Sequence, residues 1–136
     1  MKIDLPGIDD QQTCIFEQAT KEAIAQLQAN LQAPKLAPQT EVDEGAYPRT
    51  HLLREQEGWE PPHPDLVGAY FRHFQANFSG YHSDGKLAIL LGLSSDRRIR
   101  EFKQGRRAVP YGVWRTFLVM TGRAPQDVLP VLAYMA

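Results

Sequence analysis

The sequence predicts an all-α protein, and three observations predict it. Apolar residues recur at steps of three and four in every apolar stretch, and none shows sustained strand alternation. Glycines punctuate these stretches at Gly80, Gly92, Gly105 and Gly122. Prolines gather at Pro34, Pro38, Pro48, Pro61, Pro62 and Pro64, so chain-breaking chemistry is concentrated in one region.

Taken in order, residues 12–33 read as a first helix, with Asp9 or Asp10 as its cap. Phe16, Ala19, Ala23, Leu27 and Leu31 form its apolar stripe, widened by Ile15 and Ile24. That stripe suits either packing within the chain or contact with a partner. Residues 34–64 form a Pro-rich acidic linker carrying Glu41, Asp43, Glu44, Glu55, Glu57 and Glu60. One turn is expected there, at 52–56, and Trp59 should anchor the linker to the domain after it. Residues 65–136 then form a domain of four to five short helices. Its first helix, 65–77, shows Val67, Phe71, Phe74 and Phe78 on one side. The last two are 110–121, with Val113, Trp114, Phe117, Leu118 and Met120, and 125–136, with Val128, Leu129, Val131, Leu132 and Tyr134.

Between them lies the stretch 83–105, which reads as two short helices joined by a tight turn. Ser83 suits the N-cap of the first, and Leu87, Ala88, Leu90 and Leu91 give it an apolar side. Gly92 stands where a sharply turning chain needs positive φ. Ser94 or Ser95 can cap the second helix, and Gly105 ends it. Projected at 100° per residue, Ile99, Phe102 and Ser95 face inward, while Arg97, Arg100, Glu101 and Gln104 face outward with Arg98 at the flank.

These residues resemble the Cro/lambda-repressor-like (XRE-type) helix-turn-helix family over about residues 65–122. The pattern Leu-Ala-x-x-Leu-Gly is carried by Leu87, Ala88, Leu91 and Gly92, and Ile-x-x-aromatic-x-x-Gly by Ile99, Phe102 and Gly105. Arg106, Arg107 and Pro110 supply the basic segment and proline usual after that pattern. The chain differs in two respects. Its turn before Ile99 is one residue longer than the family norm, and Asp84 replaces a glutamine that often contacts DNA backbone. The resemblance implies a lambda-repressor-like bundle whose second motif helix, about 95–104, lies in the major groove.

Charge points the same way. Residues 1–77 carry 6 Lys+Arg against 12 Asp+Glu, and residues 78–123 carry 9 against 3. The net charge of −1 thus conceals a basic segment that coincides with the motif. Arg97, Arg100, Glu101 and Gln104 have the hydrogen-bonding geometry to read base edges. Lys86, Ser95, Arg98, Lys103, Arg106 and Arg107 suit backbone contacts, as does Arg115. Glu101 could instead pair with a neighbouring arginine at helical spacing.

No other chemistry is expected. His51, His63, His73 and His82 lack metal-ligand spacing, no P-loop or GxGxxG occurs, and Cys14 is alone. Catalytic residues, metals and cofactors are therefore expected to be absent. No apolar run spans a membrane and no signal sequence is evident, so the cytoplasm is the expected location. The expected partners are double-stranded DNA and a second copy of the chain. The acidic N-terminal half offers a surface for a protein partner, and a protein-interaction module such as an antitoxin, antirepressor or adaptor is the alternative to a DNA-binding regulator.

Overall fold

The structure, a computed structural model, describes residues 7–135. Those residues form five α-helices and no strand: α1 (Ile8–Asn30), α2 (Pro64–Asn77), α3 (Asp84–Leu90), α4 (Asp96–Gln104) and α5 (Tyr111–Met120). Short 3-10 turns occur at Glu44–Ala46, Thr50–Leu52, Glu55–Glu57 and Ser79–Tyr81. The expected all-α class is what the described residues adopt. Two units are distinguishable: Pro38–Asp127, and the described residues up to Ala37 together with those from Val128 onward.

In the larger unit the periodic residues of α2 to α5 converge on one core. Leu66, Val67, Tyr70, Phe71 and Phe74 come from α2, and Leu87 and Ala88 from α3. Ile99 and Phe102 come from α4, and Trp114, Phe117 and Leu118 from α5. Trp114 is at the centre, fully buried. Its ring stacks on Tyr70 at 5.7 Å and on Phe117 at 5.6 Å, and lies tilted against Phe71 at 5.9 Å. Such offset and tilted pairs add to what burial alone contributes. Phe78 is 40% exposed, although it packs on Phe74 at 4.8 Å. It stands beyond the end of α2 in extended conformation, so the helical projection no longer applies to it.

The starts of α2 and α3 and the ends of α3 and α4 are closed by local hydrogen bonds. The His63 ring accepts from the Asp65 amide, and Pro64 begins α2, where its missing N–H is not needed. Ser83 Oγ accepts from the Lys86 amide. At the other end, α3 and α4 close by the same device. The Gly92 and Leu93 amides donate to Ile89 and Ala88 carbonyls, and those of Gly105 and Arg106 donate to Phe102 and Glu101. Both glycines have positive φ, +72° and +75°.

The two glycines differ in their surroundings, and this yields a prediction. A Cβ on Gly92 would meet nothing within 4 Å, whereas on Gly105 it would come 2.8 Å from Pro64 Cγ. Gly92→Ala should therefore show backbone strain alone, roughly 1 kcal/mol. Gly105→Ala should lose roughly 2–3 kcal/mol, because the end of α4 must also move off the start of α2. Urea denaturation of both variants checks the difference.

The region expected to be a linker contributes to this unit. It holds three 3-10 turns instead of the single one expected at 52–56. Gln39 and His51 are buried, and Val42, Tyr47, Leu52 and Trp59 pack on the core. Trp59 is an anchor, as expected. Its indole N–H donates to the His51 carbonyl at 3.1 Å, and its ring meets Tyr111 edge-on at 5.2 Å.

In the smaller unit, α1 starts and stops earlier than expected. The Gly7 carbonyl accepts the Gln11 amide, and Asp9 and Asp10 occupy the first turn instead of the cap position. Carboxylates are favoured there by the helix dipole. The α-helix ends at Asn30, and residues 31–33 form tighter turns ahead of Pro34, which disfavours helical backbone at Ala33. None of the residues of α1 is buried; Ile8, Ile15 and Ile24 are exposed, as is Leu31 just after its end.

The helix expected over 125–136 does not form among the described residues, which run without regular structure from Pro125 to Met135. Ala136 lies outside the described residues. The reason is the pair Pro125 and Pro130. Pro130 cannot donate to Gln126, its ring clashes with that carbonyl, and it pushes Leu129 away from helical backbone. Val128, Leu129, Val131, Leu132 and Met135 are exposed, and Tyr134 stacks on Phe16 of α1 at 5.1 Å. No helix among the described residues is long and apolar enough to cross a membrane.

Candidate nucleic-acid interface

The stretch 83–105 forms two helices, α3 and α4, separated by residues 91–95 and packed on each other, with α2 packed on α4. Their mutual placement is fixed by apolar and polar contacts together. Ile99 is 0% and Phe102 1% exposed, so α4 presents one side wholly to the core. Beside them Lys103 Nζ donates to Asp84 Oδ1 of α3 at 2.8 Å and to Gln75 Oε1 of α2 at 2.8 Å. Gln75 Nε2 donates to the same Asp84 oxygen at 3.0 Å, so one small network ties three helices. Partial burial would raise the Asp84 carboxyl, but the bonds from Lys103 and Gln75 outweigh it and hold the pKa below the usual range. Asp84, which stands where the family often has a glutamine, is thus paired with Lys103.

Of the residues expected on the outward face of α4, all but Glu101 are open to solvent; the Glu101 side chain is 15% exposed and is held by two arginines. Arg97, Arg100 and Gln104 are exposed, and Arg98 is half-buried. Arg97 Nε donates to Glu101 Oε1 at 2.9 Å, and Arg100 Nη1 donates to Asp96 Oδ2 at 2.8 Å. Arg107 Nε donates to the other Glu101 oxygen at 3.0 Å. Slight desolvation acts upward on the Glu101 carboxyl, yet the bonds from Arg107 and Arg97 hold it below its ordinary pKa. Arg106 and Lys86 are exposed.

Three residues stand differently from expectation. Ser95, projected towards the core, is exposed; it is the N-cap of α4 with extended backbone, and so lies off the helical projection. Lys103 is turned into the α2–α3 contact, its side chain 16% exposed. Arg115 braces the chain around Leu52 and Pro125. Its guanidinium donates to the Pro125 carbonyl at 3.1 Å and the Leu52 carbonyl at 3.4 Å, and lies 3.8 Å from Asp127. Asp127 also accepts from Arg54.

A second polar cluster was not visible in the sequence. His51 is 2% exposed, and its Nδ1 accepts the Trp114 indole N–H at 3.2 Å. Indole nitrogen only donates, so Nδ1 must carry a lone pair and the ring is neutral with its proton on Nε2. Burial lowers the His51 pKa to about 4, helped by Arg49 and Arg123 and opposed by Glu44. Next to it the Tyr70 hydroxyl donates to Glu44, whose carboxyl also accepts from Gln39 Nε2 at 3.2 Å. Burial pushes the Tyr70 phenol well above its usual pKa, and the bond to Glu44 adds to this. Arg123 lies over the Tyr70 ring at 4.0 Å. This cluster, with the Arg72–Glu41 pair, holds residues 38–59 against α2 and α5, so Glu41 and Glu44 of this segment are engaged with Arg72 and Tyr70 of α2.

Comparison with known protein families, with curated proteins and with solved structures finds no match.

Proposed function

We propose that this protein is a sequence-specific DNA-binding transcriptional regulator of the Cro/lambda-repressor-like helix-turn-helix type, acting in the cytoplasm, with α3 as the supporting helix and α4 as the reading helix. The observation that carries this reading is the outer face of α4. Arg97, Arg100 and Gln104 stand exposed opposite the buried Ile99 and Phe102, and the face continues into Arg106 and Arg107. A rigid helix with arginine and glutamine on one side suits base edges in a major groove. Basic residues just past its end suit phosphates. Of the residues suited to backbone contact, Lys86, Arg98, Arg106 and Arg107 keep that role in this reading; Lys103 supports the fold through Asp84. A reader this small gains affinity by acting as a homodimer on two half-sites about 34–36 Å apart.

The test is selection of a preferred duplex from random DNA, then titration of variants on that duplex and on random duplex across a salt series. Arg97→Ala should lose roughly 1–3 kcal/mol on the preferred duplex only, and relax base choice there. Arg106→Ala should weaken both duplexes alike and reduce the salt slope by about one. If neither variant loses affinity on any duplex, α4 does not work on DNA.

One observation favours a second reading, a protein-interaction module. Ile8, Ile15 and Ile24 of α1, Leu31 just after it, and Val128, Leu129, Val131 and Leu132 of the C-terminal segment are exposed apolar residues. Recovery of a stable heteromeric complex, with no sequence selected from random DNA, would replace the first reading with this one.

A further inference from the structure

We infer that Glu101 is a positioning residue for the base-reading Arg97 and the phosphate-contacting Arg107, and not itself a reader of bases; this rests on the DNA-binding reading of α4. The geometry is that of a buttress. The Glu101 side chain is 15% exposed, while those of Arg97 and Arg107 are 79% and 51% exposed. The carboxylate therefore lies low on the helix surface and its two partners stand above it. Each of its oxygens takes one arginine, and each arginine is held through Nε. Holding a guanidinium by Nε leaves its two terminal amino groups as an outward fork, the edge that fits guanine O6 and N7.

Two chain segments supply the two arms, and the backbone explains how. Arg97 lies one helical turn before Glu101. Arg107 is brought back by the positive φ of Gly105, after which the Arg106 amide donates to the Glu101 carbonyl at 3.0 Å. Glu101 thus receives α4 and the loop beyond it at one point. Arg100 is held differently. Its bond to Asp96 is made by the terminal Nη1, so part of its outward fork is already engaged. Arg97 is accordingly the reader that Glu101 prepares, and Arg107 the loop arm fixed beside it. Most of the entropy lost in fixing a long arginine side chain is then lost before DNA arrives.

A buttress and a simple acidic repeller predict opposite things. Removing a negative charge from a DNA-facing surface raises affinity for every duplex alike. Removing a support loosens the reader and lowers affinity only where a base is read. The test substitutes Glu101→Gln, which keeps length and helix preference. Its affinity is measured for the duplex selected by the wild-type chain and for a random duplex of equal length. The expected result is a few-fold gain on random DNA and a loss on the selected duplex, so that their ratio falls about tenfold. In the Arg97→Ala background the same substitution should leave the ratio unchanged. Parallel gains on both duplexes would overturn the inference, making Glu101 a repeller. A fall in ratio that persists without Arg97 would also overturn it, making Glu101 a base reader. A DNA-free measurement separates this failure from that of the DNA reading. The Nε–H signals of Arg97 and Arg107 should be slow to exchange in the free protein and collapse together in Glu101→Gln. If they are already fast in the wild type, the buttress is absent whatever α4 binds; if they are slow but no duplex is selected, the DNA reading fails and the inference falls with it.

Discussion

Trp114→Ala is expected to destabilise the larger unit by about 4 kcal/mol, which approaches the whole stability of a small domain. Trp114 is wholly buried and in ring contact with His51, Tyr70, Phe71 and Phe117. Truncation leaves a cavity shared by α2, α5 and the segment around His51, and no neighbouring element can fill it without leaving its own place. It also strands the buried His51 Nδ1 without a donor. Trp114→Phe separates the two effects. It keeps most of the apolar volume and removes the indole N–H, so a smaller loss, roughly 1–3 kcal/mol, is expected. Denaturant unfolding monitored by helical circular dichroism measures both; equal losses would show that the retained apolar volume contributes nothing, and no loss in Trp114→Phe would show that the indole bond contributes nothing.

Acid should weaken the same unit before its carboxylates are protonated. Burial of His51 lowers its folded pKa to about 4, against about 6.5 in an unfolded chain. Between those values the unfolded chain binds the extra proton and the folded chain does not. The contribution is therefore fully present above about pH 6.5 and is lost as pH falls towards about pH 4. Between pH 7 and pH 5 the loss from this residue should be about 2 kcal/mol. A protonated ring would also turn Nδ1 into a donor facing the donor of Trp114. His51→Gln removes the titration and retains an acceptor, so its stability should be nearly flat over that interval. A wild-type profile equally flat would show that His51 is protonated in the fold, or solvated.

The physical reasons for what could be foreseen differ by element. The helices α2 to α5 were legible because each shows a one-sided apolar pattern between a recognisable start and stop, such as Ser83 and Gly92 around α3. The outward residues of α4 came from the same periodicity, since Ile99 and Phe102 fix the phase of the whole helix. The C-terminal segment also has helical spacing, yet Pro125 and Pro130 break its backbone; there local chain chemistry overrides pattern. His51 could not be recognised, because an isolated histidine in an acidic, Pro-rich stretch carries no period and its partner Trp114 is 63 residues away. The one available signal was apolar residues in that stretch, Leu52, Leu53 and Trp59, which a solvated linker would not need. Lys103 illustrates the same limit at shorter range. Its place on α4 was evident, but its partner Asp84 belongs to another helix, and only the packing of α3 on α4 joins them. The Glu101 pair divides in the same way. Arg97 is at helical spacing, whereas Arg107 reaches Glu101 only through the turn at Gly105.

The most direct measurement of the central claim, that α4 is a nucleic-acid reading helix, is a map of backbone amide shifts in the isotopically labelled chain on titration with duplex DNA. A reading helix predicts a contiguous set of shifts over Arg97–Gln104 and on to Arg107, salt-dependent and larger with a selected duplex than with a random one. Shifts confined to α1 or the C-terminal segment, or none at low salt, would contradict it.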